Sequence, residues 1–102
     1  MANLIHVCNL GELQPGDKQA ITVDNVSILV ANVDGKFYAV SNICTHEYAE
    51  LVNGFLSEGT ITCPLHLSRF RLENGEALNP PATQSLKTYK VVIQENRVYV
   101  EV

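Results

Sequence analysis

Apolar residues recur with a period of two along almost the whole chain, the signature of strands that turn one face to a core and the other to water. Ile5 and Val7 alternate with Leu4, His6 and Cys8, and Ile21 and Val23 alternate with Ala20 and Thr22. Residues 26–33, VSILVANV, are apolar on both faces, so this strand is expected to lie centrally in the core. Asp34-Gly35 follows and leads into KFYAV, which predicts a two-residue hairpin because both central positions of a type I′ turn need positive φ. A second hairpin is expected where KVVI turns through Gln94, Glu95 and Asn96 into RVYVEV, with Val98, Val100 and Val102 on one face and Arg97, Tyr99 and Glu101 on the other. No long window has helical periodicity; EYAELV (47–52) has room for a single turn. The pattern predicts an all-β protein, a single domain over residues 1–102 built as a small antiparallel sandwich or barrel.

That pattern breaks once. Residues 41–83 carry the turn signals Asn53-Gly54, Glu58-Gly59, Asn74-Gly75 and Pro80-Pro81, with only short apolar strands such as TITC between them. This stretch reads as a subdomain inserted between two runs of regular strands, and it holds two of the three cysteines and two of the three histidines.

Composition changes the picture by exclusion. A chain 46% hydrophobic and 18% charged is expected to fold rather than stay disordered. A net charge of -4 from scattered acidic residues argues against nucleic-acid and anionic-membrane binding, and is compatible with docking onto a basic partner surface. The N-terminus has no basic segment followed by an apolar run, and no stretch approaches the roughly 18 apolar residues of a membrane span, so a cytoplasmic protein with no membrane anchor is expected. Three cysteines, Cys8, Cys44 and Cys63, are odd in number and too few for a disulfide framework, which makes metal or redox use the question to ask.

Cys44-Thr45-His46 and Cys63-Pro64-Leu65-His66 supply the answer's raw material, with residues 47–62 between them. Each is a loop presenting one thiolate and one imidazole, and a fold that joined the two would assemble a site of two sulfurs and two nitrogens. A single buried Cys or exposed His is ordinary, but four such matches at these spacings arise by chance in roughly one or two sequences in ten thousand. A tetrahedral zinc site is one reading, although zinc sites usually pair cysteine with cysteine and histidine with histidine. A hydrolase with Cys63 as nucleophile and His66 as base is another, but no orienting third residue stands out and a second Cys/His pair has no use there.

In these residues the chain resembles the Rieske iron–sulfur proteins, whose pattern is C-x-H, about 15–17 residues, then C-x-x-H. The likeness runs from Cys44 to Ala82 and takes in CTH, CPLH, Phe70, the turn ENGEA and PPA, while the flanking strands suit the family's all-β fold. It implies that Cys44 and Cys63 bind one iron of a single 2Fe-2S cluster and that His46 and His66 bind the other. Two ferric ions, two sulfides and two thiolates sum to no net charge, whereas four thiolates would leave a dianion, so the mixed ligand set accepts an electron more readily. Such centres lie at about -150 to +300 mV against about -400 mV for plant-type ferredoxins.

Departures from the family's pattern refine this. High-potential relatives brace the cluster with a disulfide whose positions are Ala49 and Leu65 here, and they carry a tyrosine donor where Phe70 stands. Both losses predict the low end of the range, while Ser68 is a remaining hydroxyl that could donate to a bridging sulfide. Leu67 stands where most relatives have glycine, so the loop is expected to differ locally if a left-handed backbone is too costly for leucine. Arg71 stands where aspartate is usual; Arg69 and Arg71 form either a basic spot near the cluster or a solvated strand face. Pro80-Pro81 resembles the loop that covers the cluster from a third side or is a plain rigid turn, and His6 and Cys8 read as structural.

A cluster without an open ligand position moves electrons and does no substrate chemistry by itself. Only His6 remains beyond the presumed ligands and no G-x-G-x-x-G is present, so neither an oxygenase iron nor a nicotinamide or flavin site is expected. The resemblance therefore implies a ferredoxin of bacterial multicomponent aromatic-ring-hydroxylating dioxygenases, a monomer in transient complexes that carries electrons from a flavin-dependent NAD(P)H reductase to a terminal oxygenase. Two alternatives stand beside it: a small subunit fixed in an enzyme such as assimilatory nitrite reductase, and a zinc-stabilised interaction module.

Overall fold

A computed structural model describes residues 3–45, 48–65, 67–80 and 82–102. Among these the chain forms nine strands: β1 (Leu4–Asn9), β2 (Lys18–Val23), β3 (Val26–Val33), β4 (Lys36–Ser41), β5 (Phe55–Ser57), β6 (Thr60–Thr62), β7 (Arg69–Arg71), β8 (Thr88–Gln94) and β9 (Arg97–Glu101). Six of them make an antiparallel sheet in the order β1-β9-β8-β4-β3-β2, which curls into a nearly closed barrel. The other three form a small sheet, β5-β6-β7, that falls between β4 and β8 in the chain.

Turn chemistry sets the register of the large sheet. Asp34 and Gly35 both have positive φ and join β3 to β4 as expected, and Glu95-Asn96 does the same between β8 and β9. Asp24-Asn25 closes the β2–β3 hairpin in the same way, a turn that carries no glycine and that the sequence pattern did not announce. In the small sheet Glu58-Gly59 turns β5 into β6.

β3 is the wall that both halves of the core share, although in sheet order it lies next to the edge strand β2 rather than at the centre. Its Ile28 and Val30 pack with Cys8, Leu13, Ala39, Val98 and Val100 inside the barrel. Leu29 and Ala31 face the other way, into a second cluster with Val40 and residues of the inserted segment. The doubly apolar run 26–33 is thus explained by two cores sharing one strand.

One expectation needs correction and a second is narrowed. Simple alternation puts Cys8 on the outer face with Leu4 and His6, but the β1–β9 register slips between His6 and Cys8, and this bulge turns the thiol inward. The stretch 47–52, which has room for a single turn, makes a short 3-10 turn only from its end, at Leu51–Asn53, where Glu50 is extended and pairs with Ile43 as an antiparallel bridge; Glu47 lies outside the described residues.

Candidate functional site

The two cysteine loops share one construction, a chain reversal closed by a backbone hydrogen bond. In the first, Cys44 N–H donates to the Ala49 carbonyl at 3.0 Å. In the second, Cys63 N–H donates to the Ser68 carbonyl at 2.8 Å and Leu67 N–H returns to the Cys63 carbonyl at 3.2 Å. Cys44 follows β4 and Cys63 follows β6, yet both thiols lie in one buried cluster with Ala49, Leu51, Phe70, Leu72 and Ala82, at 5% and 1% exposure. The structure thus places both cysteines singled out by the sequence pattern in the same buried cluster. His46 and His66, the other two predicted site residues, lie outside the described residues, as do Glu47 and Pro81.

Polar side chains from outside the two motifs hold these loops in place. Asn42 is fully buried at the root of the first. Its amide donates to Ser27 Oγ at 3.0 Å and to Glu50 Oε1 at 3.4 Å, and its carbonyl oxygen accepts from Val52 N–H at 2.9 Å. Asn79 does the corresponding work on the second: its oxygen accepts from Arg69 N–H at 2.7 Å, and its amide donates to the carbonyls of Leu67 at 3.3 Å and Pro80 at 3.2 Å. A third segment fastens both. Ala82 N–H donates to the buried Ser68 Oγ at 3.1 Å, and Thr45 Oγ1 donates to the Gln84 carbonyl at 2.7 Å. Sequence reading missed Asn42 and Asn79; the available signal was a lone amide side chain flanking each cysteine loop or proline pair, where backbone groups need a substitute partner.

Gly75 anchors that third segment. Its φ is +76°, its N–H donates to the Arg71 carbonyl, and its carbonyl accepts from Leu86 N–H at 2.8 Å. A Cβ there would run into the Leu86 carbonyl oxygen, so the asparagine–glycine turn is required by both backbone angle and space.

Leu67, Ser68 and Arg71 were left open by the sequence. Leu67 adopts φ +60°, so the loop keeps the left-handed conformation rather than changing locally to avoid it. Ser68 Oγ accepts from Ala82, which leaves its own hydroxyl proton for another acceptor. Arg71 pairs with Glu76 at 3.5 Å on the exposed side of β7, the arrangement of a solvated strand face, whereas Phe70 between the two arginines is fully buried in the cysteine cluster. Cys8 and His6 stand apart from the site on β1. Burial and then the Glu12 carboxylate push the Cys8 thiol above its ordinary value, and the His6 ring lies 5.5 Å from that of Tyr99 across the sheet.

Comparison with known proteins agrees with this arrangement. The family model for the Rieske [2Fe-2S] domain matches residues 3–90. The ferredoxin component of the naphthalene 1,2-dioxygenase system of Pseudomonas aeruginosa is 41% identical over 92 residues, covering 90% of this chain and 88% of its own. A ferredoxin solved in the complex of reduced oxygenase and oxidized ferredoxin in carbazole 1,9a-dioxygenase superposes with a TM-score of 0.92 at 33% identity, over 95% of this chain and 91% of that one. A structure assigned to an NADH-dependent nitrite reductase small subunit from Mycobacterium tuberculosis has a TM-score of 0.89 over 100% of this chain and 96% of that one, but at 21% identity this is a likeness of fold.

Proposed function

The chain belongs to the Rieske [2Fe-2S] domain family, and from that premise we propose that it takes single electrons from a flavin-dependent NAD(P)H reductase and delivers them to a terminal aromatic-ring-hydroxylating oxygenase. It is a ferredoxin of aromatic dioxygenase systems, an electron carrier rather than an enzyme, and it carries a Rieske-type 2Fe-2S cluster. The observation that carries this reading is the match over nine-tenths of the chain to a dioxygenase ferredoxin.

Cys44 and Cys63 are proposed as the ligands of one iron, with His46 and His66 on the other. The donor chemistry fits: two buried thiols on twin loops reach a single cluster of side chains, as one sulfur-ligated iron requires. When bound, the group accepts and releases one electron at a time. The protein's part is to hold the loops rigid through Asn42, Asn79, Ser68 and Gly75, so that little rearranges when the charge changes.

No helix among the described residues is long and apolar enough to cross a membrane. A cytoplasmic carrier working in transient complexes is the assignment that suits thiolate ligands and a shuttle between two proteins. The nitrite reductase alternative rests on fold likeness alone and is not adopted.

Purification under anaerobic conditions tests the reading. Iron and acid-labile sulfide in equal amounts, visible absorption, and a low-average-g EPR signal on reduction are expected. Stoichiometric zinc without sulfide would overturn it and favour the zinc module.

A further inference from the structure

The segment 76–79 runs back beside β7 as the start of a fourth strand. Arg71 N–H donates to the Glu76 carbonyl at 2.9 Å, Phe70 and Ala77 pair as an antiparallel bridge, and Leu78 N–H donates to the Arg69 carbonyl at 2.8 Å. The next rung is made by a side chain: Arg69 N–H donates to Asn79 Oδ1 at 2.7 Å. Pro80 follows, and a proline has no N–H with which to continue a ladder. The Asn79 amide instead carries the network on to the Leu67 carbonyl at 3.3 Å and the Pro80 carbonyl at 3.2 Å.

Leu67 is the residue that needs such a partner. Its φ of +60° lies in a region that glycine enters freely and leucine only at a cost. Its side chain is 57% exposed, so packing gives little in return. What holds it is hydrogen bonding at both ends: its N–H donates to the Cys63 carbonyl at 3.2 Å, and its carbonyl accepts from Asn79. Cys63 N–H in turn donates to the Ser68 carbonyl at 2.8 Å. Both backbone groups of Cys63 are therefore bonded to residues 67 and 68, and a Leu67 that left the left-handed region would disturb them together.

We propose that Asn79 is a positioning residue for electron transfer, coupled to Leu67: its amide selects the left-handed backbone that a glycine at 67 would adopt unaided, and so keeps the Cys63 loop in one conformation. This rests on the functional reading above, in which Cys63 is an iron ligand. A single loop conformation in both oxidation states leaves little to rearrange when an electron arrives or departs. Without the amide, Leu67 relaxes toward negative φ and the loop divides between two conformers.

The test is a double-mutant cycle on the holoprotein with Asn79→Ala, Leu67→Gly and the two combined. Asn79→Ala alone should speed chelator-driven loss of visible absorption about three- to tenfold, the change in local opening that one hydrogen bond of ordinary strength allows. In the Leu67→Gly background the same substitution should change that rate less than about twofold. The EPR signal of reduced Asn79→Ala should broaden or split, whereas wild type and the double variant keep one sharp signal; a merely structural loss of stability would not move it. Asn79→Asp retains an acceptor for Arg69 N–H but has no donor for the Leu67 carbonyl, and should behave as Asn79→Ala does. If Asn79→Ala fails to take up a cluster, the double variant should still do so. Equal acceleration in both backgrounds, an unchanged EPR signal in Asn79→Ala, full rescue by Asn79→Asp, or a double variant without a cluster would each overturn the inference while leaving the carrier role intact. A wild-type protein that holds no iron–sulfur cluster would overturn the functional reading, and this inference with it.

Discussion

The barrel and the cysteine loops are held by different means. The barrel repeats one interaction many times: antiparallel ladders run through all six strands, and valines and isoleucines of β3 and β9 fill its interior. The loops depend on single contacts. One asparagine closes the root of the first, another clamps the second, and one serine hydroxyl joins the second to the covering segment. A repeated structure tolerates the loss of one member; a structure of single contacts does not. The difference predicts that mutations of similar cost to stability have unlike consequences for the electron carrier.

Cys63→Ser is expected to have the largest effect, abolishing the visible absorption and the iron content, because a serine oxygen is a poor substitute for a buried thiolate on iron. The barrel strands should still fold, which far-ultraviolet circular dichroism checks. Retention of a full-strength cluster would remove Cys63 from the ligand set.

Next comes a matched pair. Asn42→Ala leaves Val52 N–H and Ser27 Oγ without their partner and should cost about 2–3 kcal/mol. Val98→Ala opens a small void in the barrel and should cost about 2 kcal/mol. Denaturant unfolding measures both. Only Asn42→Ala should speed loss of absorption under a chelator, and equal rates in the two variants would erase the distinction between the regions.

Phe70→Tyr sharpens the comparison within the loops. Phe70 lies in the same buried cluster as both thiols, and a hydroxyl that reached a sulfur would stabilise the reduced form. One hydrogen bond of about 0.5–1.5 kcal/mol corresponds to a rise of roughly 20–65 mV for a one-electron couple. Spectroelectrochemical titration reads it, and an unchanged potential would mean that the ring edge does not face a sulfur.

The smallest effect belongs to the barrel. The Cys8 thiol is held above its ordinary value of 9.0 by burial and then by Glu12. Below that pH both folded and unfolded chains keep the proton and the group adds nothing. Above it the unfolded chain releases the proton first, so this contribution to stability falls as pH rises. Cys8→Ala should flatten the alkaline decline in urea midpoint, with no change in the absorption spectrum; a decline of the same slope in both proteins would contradict the assignment.

How much of this was legible beforehand differs by region in the same way. The barrel followed from alternation and from Asp34-Gly35, because period-two burial and positive-φ turns are local properties. The Cys8 bulge was not legible, since a one-residue slip depends on the partner strand β9. In the loops the spacing singled out Cys44 and Cys63, and the structure buries both in one cluster. Asn42 and Asn79 were not, because the groups they satisfy come from residues far along the chain, such as Ser27 and Leu67. Leu67 shows the limit of local argument most clearly: its side chain disfavours the left-handed region, and the Cys63 and Asn79 hydrogen bonds on its amide and carbonyl hold it there.

The central claim is a cluster whose two irons have unlike ligands, two sulfurs on one and two imidazole nitrogens on the other. Pulsed EPR on the reduced protein, prepared with natural and with ¹⁵N-labelled histidine, tests it most directly. The account predicts couplings from two histidine nitrogens that shift on labelling and persist in His6→Gln. A reduced cluster with no histidine nitrogen coupling would contradict it.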